Sequence, residues 1–299
     1  MTDTGWLWVV FTVLAAAGQT VRNAMQRELT ATLGTTGATH VRFLFGAPFS
    51  VVFLFGLMLV TGASLPKPPA LFWPWIIVGM GAQIVATALM LAAMGERSFV
   101  VTIAYIKTEP IQVALFGLIF LGDMLSLGMV AAILIATAGV VVMSLKPGSV
   151  PSDTWRPTLL GLASGAMFAL SAVGYRGAIL SLNLSDYMMA ATFTLVVGLL
   201  LQSVILSLYL MIRAPEVMRA ILRQWRPSLF AGFMGATASQ FWFLAFALAT
   251  AASVRTVALV EVLFAQAISI FLFGQKTSAR EGFGIMLIVI GVVLLIWAH

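Results

Sequence analysis

Residues 108–123 read TEPIQVALFGLIFLGD, and residues 260–275 read VEVLFAQAISIFLFGQ. Each stretch has a glutamate in second place, continues as an apolar run and has a glycine next to last. Glu109 and Glu261 lie 152 residues apart, as do Gly122 and Gly274. Trp73 with Trp225 and Gly139 with Gly291 keep the same offset. Arg22 and Arg176 also correspond if an insertion of two residues is allowed. Glycine and tryptophan matches are weak evidence in this chain. The glutamates carry more, because the chain has only 10 Asp and Glu in 299 residues. The offset marks an internal repeat, residues 1–148 and 149–299.

Around this repeat the chain is 61% hydrophobic and 9% charged. A soluble domain is about 45–50% apolar and about 25% charged. So much apolar surface cannot be hidden in a water-soluble core, and the composition is that of a membrane protein. Ten apolar segments approach the ~20 residues that a helix needs to cross a bilayer. They are 6–24, 37–61, 71–94, 98–121, 125–145, 157–178, 187–212, 228–248, 252–273 and 280–298. Breakers and charges separate most of them: LPKPP at 65–69, GER at 95–97, KPGSVPSD at 146–153 and RAPEVMRAILRQWRP at 213–227. No aqueous domain interrupts them. Backbone inside hydrocarbon must satisfy its own hydrogen bonds, so these runs predict helices. The ~10-residue alternation of barrel strands does not fit. The expected fold is therefore an all-α polytopic membrane protein, with ten transmembrane helices as two inverted five-helix repeats around a central cavity. An odd number of spans per repeat inverts the second copy, which is a transporter architecture.

Other classes are excluded or weakened. The net charge of +6 comes from 16 Lys and Arg scattered in short loops. That pattern suits membrane-face anchoring, not nucleic acid. The absence of cysteine removes disulfides, thiolate sites and Cys nucleophiles. Two histidines, His40 and His299, make a transition-metal site improbable. No cofactor is expected. The N-terminus MTDTGWLWVV has no basic region before its apolar run, so the first helix is expected to be retained.

Glu109 and Glu261 fall inside spans, where an ionisable group costs at least about 2.5–3.5 kcal/mol and normally faces the bundle interior. They suggest a water-accessible cavity lined by spans 4 and 9. The alternative is a buried ion pair or a protonated carboxyl. Lys107 and Glu109 are about 200° apart around a helix and do not face each other. Lys107 has a stem long enough to snorkel. Pro110 removes a donor and frees the Ile106 carbonyl, giving either a hinge or a static kink. Gln19, Gln83, Tyr105, Tyr175, Gln240, Trp242 and Gln266 supply amides, phenols and a ring at membrane depth. Such groups bind a zwitterion or an aromatic ring without a fixed charge. Arg22, Arg42, Arg176 and Arg255 near span ends read as interface anchors or as carboxylate clamps.

These features resemble the EamA branch of the drug/metabolite transporter superfamily over nearly the whole chain, with TEPIQVALFGLIFLGD and its second copy as the motif. The family usually has Gly-Glu after this helix. Here the copies have Gly122-Asp123 and Gly274-Gln275, and Val262 replaces proline in the second. Bacterial aromatic amino acid exporters are the most similar branch. The resemblance implies a multi-pass protein of the bacterial inner membrane, no catalytic residues, and export of amino acids through a cavity lined by spans 3, 4, 8 and 9. It also implies both termini inside. The charges imply the reverse: 12 Lys and Arg fall on the face of loops 1–2, 3–4, 5–6, 7–8 and 9–10, against Lys67, Arg176 and Arg255 on the other.

Four readings of function follow. An exporter of neutral or aromatic amino acids would use alternating access, with or without proton coupling through the glutamates. An exporter of organic cations would use a buried glutamate and aromatic rings. An intramembrane enzyme would need His40 as a base, and a scaffold would leave the repeated glutamates without a role.

Overall fold

A computed structural model describes residues 5–96, 105–144, 156–264, 266–267 and 278–298. These residues form helices and connecting turns, with no strand among them. The helices are α1 (Leu7–Thr61), α2 (Phe72–Glu96), α3 (Glu109–Phe116), α4 (Leu127–Ser144), α5 (Arg156–Ser181), α6 (Tyr187–Arg213), α7 (Pro215–Arg223), α8 (Trp225–Leu248), α9 (Ala251–Val257) and α10 (Ala279–Ala298). A π turn, Gly117–Leu121, extends α3, and a 3₁₀ turn, Ala258–Val260, extends α9.

Six helices among the described residues are long and apolar enough to cross a membrane. They are Glu28–Thr61, Phe72–Ala93, Thr158–Ser181, Tyr187–Arg213, Trp225–Leu248 and Ala279–Ala298. Glu109–Leu121 and Leu127–Met143 are shorter apolar helices. The expected segments 6–24 and 37–61 join in one run, α1. Segments 98–121 and 252–273 lie partly outside the described residues, as does the repeat boundary at 148–149. The polar stretch 213–227, expected as a loop, carries the additional helix α7.

The chain forms two compact units, Met1–Ile84 with Gly174–Leu248, and Val85–Val173 with Ala249–His299. In the first unit α1 packs along α8 and α6. Gly34 interrupts α1 with φ 67° and ψ 176°, a conformation open essentially to glycine alone. Gly62 ends the helix in the left-handed region, its N–H bonded to the Met58 carbonyl. In the second unit α4 packs on α10. Their crossing is made by glycines. A Cβ on Gly139 would lie 2.7 Å from the Gly284 carbonyl oxygen, and one on Gly291 would lie 2.6 Å from the Ala136 nitrogen. The repeat-equivalent glycines Gly139 and Gly291 thus serve one contact. Small residues let backbones approach closely where lipid is as apolar as the side chains.

Nothing lies within 4 Å of a Cβ built at Gly34, so its replacement has only a conformational cost. Gly34→Ala is expected to lower stability by about 1–3 kcal/mol. Gly282→Ala, also unobstructed and without a positive φ, is the neutral control. Thermal unfolding in detergent followed by tryptophan fluorescence checks this; equal midpoints for the two variants would rule out a strained break.

Candidate functional site

In the second unit the segment carrying Glu109 is broken just before the glutamate. Tyr105 and Ile106 are helical, Lys107 and Thr108 form a turn, and α3 restarts at Glu109. The Thr108 hydroxyl donates to the Tyr105 carbonyl at 2.7 Å and closes the turn. Pro110 stands in the first turn of α3, where its missing N–H removes no intrahelical bond. The proline therefore begins a helix instead of bending one. The Ile106 carbonyl that it frees lies against α5, where a Cβ on Gly165 would come within 3.1 Å of the oxygen.

The second copy breaks at the corresponding place without a proline. Thr250 caps α9 by accepting from the Ser253 N–H at 3.2 Å. The helix then tightens into the 3₁₀ turn Ala258–Val260 and resumes at Glu261. Both glutamates stand where a helix restarts.

Each glutamate is paired with a cation from the other half of the sequence. Lys107 forms an ion pair with Glu261. Arg255 Nε lies 3.0 Å from Glu109 Oε1, in charge contact but off the alignment of a hydrogen bond. Side-chain exposures are 9% and 11% in the first pair and 10% and 7% in the second, so all four are nearly withdrawn from water. The quartet holds two acids and two bases. The ion pair that the sequence left as the alternative to an open cavity describes the present arrangement. Lys107 is paired and does not snorkel. Arg255 lies against a carboxylate, the second of the two readings its place near a span end allowed. Tyr105 packs against Gly161 of α5, and Gln266 follows Glu261 on the same segment.

The other expected residues form a polar network in the first unit. Gln83 Oε1 accepts from the Tyr175 hydroxyl at 2.9 Å and from Gln202 Nε2 at 3.0 Å. Gln202 also donates to the Met80 carbonyl. Trp242 Nε1 donates to Gln19 Oε1 at 3.1 Å, and Gln240 donates to the Thr192 hydroxyl at 2.7 Å. The Tyr175 and Phe243 rings lie 4.6 Å apart. Trp242 is 4% exposed, which settles it as an interior residue. Arg22 and Arg42 are buried, and carbons of both side chains approach Gly235.

Sequence reasoning passed over Gln202, although a lone amide inside LLLQSVIL, residues 199–206, was a usable signal. It also did not foresee that His40 Nε2 meets the Ser207 hydroxyl at 2.9 Å. His40 Nδ1 is buried with no hydrogen-bond partner among the described residues, so the pair has no third group to orient it as a base. A cavity of about 490 Å³ in the first unit is lined by Ala63–Lys67, Leu184–Asp186 and Met189 and contains none of the expected site residues.

No family model and no curated protein matches the chain. Solved structures do match it. One, described only as a crystal structure of a protein, covers 100% of this chain and 98% of its own with a TM-score of 0.71 at 15% identity. At that identity the shared property is the fold.

Removing one partner of a buried pair strands the other charge and costs about 3–5 kcal/mol, whereas removing both is far milder. Arg255→Gln alone is expected to lower the unfolding midpoint sharply. Adding Glu109→Gln should recover most of the loss. A double variant as unstable as the sum of the singles would mean that the two side chains are not energetically coupled.

Proposed function

We propose that the chain is a secondary transporter of the EamA branch of the drug/metabolite transporter superfamily, most similar to the bacterial aromatic amino acid exporter YddG. In this reading ten helices form two inverted repeats in the bacterial inner membrane and export neutral or aromatic amino acids by alternating access. One observation carries it. Repeat-equivalent glutamates stand at the restarts of two broken helices, each held by a cation from the other half of the sequence. Broken helices and buried charges at membrane depth are the means by which transporters build solute sites.

A neutral amino acid carries one ammonium and one carboxylate. The Arg255–Glu109 pair has a counterpart for each group: the carboxylate of Glu109 for the ammonium, and the guanidinium of Arg255 for the carboxylate. The solute then replaces the pair's own contact without leaving a bare charge. An organic cation has no group for Arg255, so the pairing of acid with base favours the zwitterion over a multidrug substrate. An enzyme reading has only the unoriented His40–Ser207 contact behind it.

Counterflow in proteoliposomes loaded with unlabelled amino acid tests the proposal, with labelled phenylalanine, threonine and methionine outside and methyl viologen as the cation control. Accumulation of an amino acid is expected. Uptake of methyl viologen alone would transfer the reading to cation export. Glu109→Gln and Glu261→Gln, assayed with and without a pH gradient, decide coupling, because unchanged gradient dependence in both variants excludes protons carried by these carboxyls.

The loop charges favour both termini outside, whereas the family resemblance implies both inside, and the side of one loop separates the two. The chain has no cysteine, so a single one introduced at exposed Ser64 reports its side cleanly. Labelling of intact cells by an impermeant maleimide is expected. Labelling only in inverted vesicles would put the termini inside.

A further inference from the structure

The helix α7 has no part in the proposed solute site. It joins two membrane-length helices through single residues. Ala214 ends α6 by donating to the Leu210 carbonyl, and Gln224 ends α7 by donating to the Ala220 carbonyl. A nine-residue helix, about 13 Å long, is thereby held where the chain leaves one span and enters the next. Its inner face is apolar and docked: a Cβ on Gly37 of α1 would meet Val217 at 2.9 Å and Ile221 at 3.9 Å, and Ile221 is fully buried.

The outer face is basic. Arg219 and Arg223 are one turn apart on α7 and exposed, and exposed Arg213 and Arg226 flank them. Glu216 is the only acid from 213 to 226, leaving a net charge of +3 there. Leu222 and Trp225 are 57% and 49% exposed beside these arginines, and the Arg226 guanidinium lies 5.4 Å from the centre of the Trp225 ring. Arginine with tryptophan at the end of a span is the composition of the lipid headgroup layer. An amphipathic segment with a basic polar face binds anionic lipid.

We propose that α7 is a rigid surface helix that binds anionic phospholipid headgroups through Arg213, Arg219, Arg223 and Arg226. The chain's fixed connections hold these cations at the membrane face. The phosphates of two or more lipids meet the arginine row, while Leu222 and Trp225 enter the upper acyl layer.

The test is retention of phosphatidylglycerol by the full-length protein. Protein in nanodiscs of phosphatidylcholine with or without phosphatidylglycerol is extracted, and bound lipid per protein is measured by mass spectrometry. The wild type is expected to retain phosphatidylglycerol. Arg219→Gln, Arg223→Gln and Arg226→Gln combined should reduce retention about tenfold or more. The same three positions changed to Lys should restore it. Undiminished retention in the Gln variant, or loss in the Lys variant, overturns the proposal. If the Gln variant does not fold, the wild type decides. Its thermal stabilisation by phosphatidylglycerol should vanish at about 1 M salt, where charges are screened within about 3 Å. Stabilisation that survives such salt overturns the proposal.

Discussion

A charge placed in hydrocarbon must find an opposite charge, and the second unit is organised by that requirement. Four ionisable side chains, all nearly out of water, resolve into two pairs. Neither ion pair joins two residues of one segment: Lys107 pairs with Glu261, and Arg255 with Glu109. Each glutamate borrows its cation from the other half of the sequence. This cross-lending ties the Glu109 segment to the Glu261 segment more specifically than apolar packing does, since lipid competes equally for apolar faces.

The interruptions before Glu109 and Glu261 belong to the same problem. A side chain leaving a continuous helix has one direction available. A turn at Lys107–Thr108 and a tightened turn at Ala258–Val260 change the local direction just ahead of each carboxylate. The α4–α10 crossing beside them needs no charge, only the missing side chains of Gly139, Gly284 and Gly291. Ion pairs and bare glycine backbone are two solutions to holding helices together in a solvent without water.

Part of this was legible in the sequence because acidic residues are rare in it. Glu109 and Glu261 stood out against an acid-poor background, and periodic apolar runs of span length located the long helices. The pairing partners were not legible. Lys107 pairs with a residue 154 positions away, although Glu109 is two positions away, and only the fold decides which is near. The run from 213 to 227 looked like a loop because its charges outnumber what a span tolerates. A nine-residue helix docked by Val217 and Ile221 needs only two apolar positions one turn apart, which is too small a pattern to separate from chance. Gln202 was hidden for the opposite reason, as one amide in a run whose hydropathy it barely changes.

The two breaks differ in reversibility. Pro110 has no amide hydrogen to offer the Ile106 carbonyl, so the first segment cannot heal into a continuous α-helix whatever its surroundings do. The second has Val262 in the equivalent place and a full set of amide hydrogens from Ala251 to Phe264. Its 3₁₀ turn differs from an α-helical one only by one residue in the span of each hydrogen bond. One arm of the pair is a fixed elbow and the other a spring. A motion that lengthens or rotates one of these segments can therefore be absorbed at Ala258–Val260, carrying Glu261 with it while Glu109 stays set.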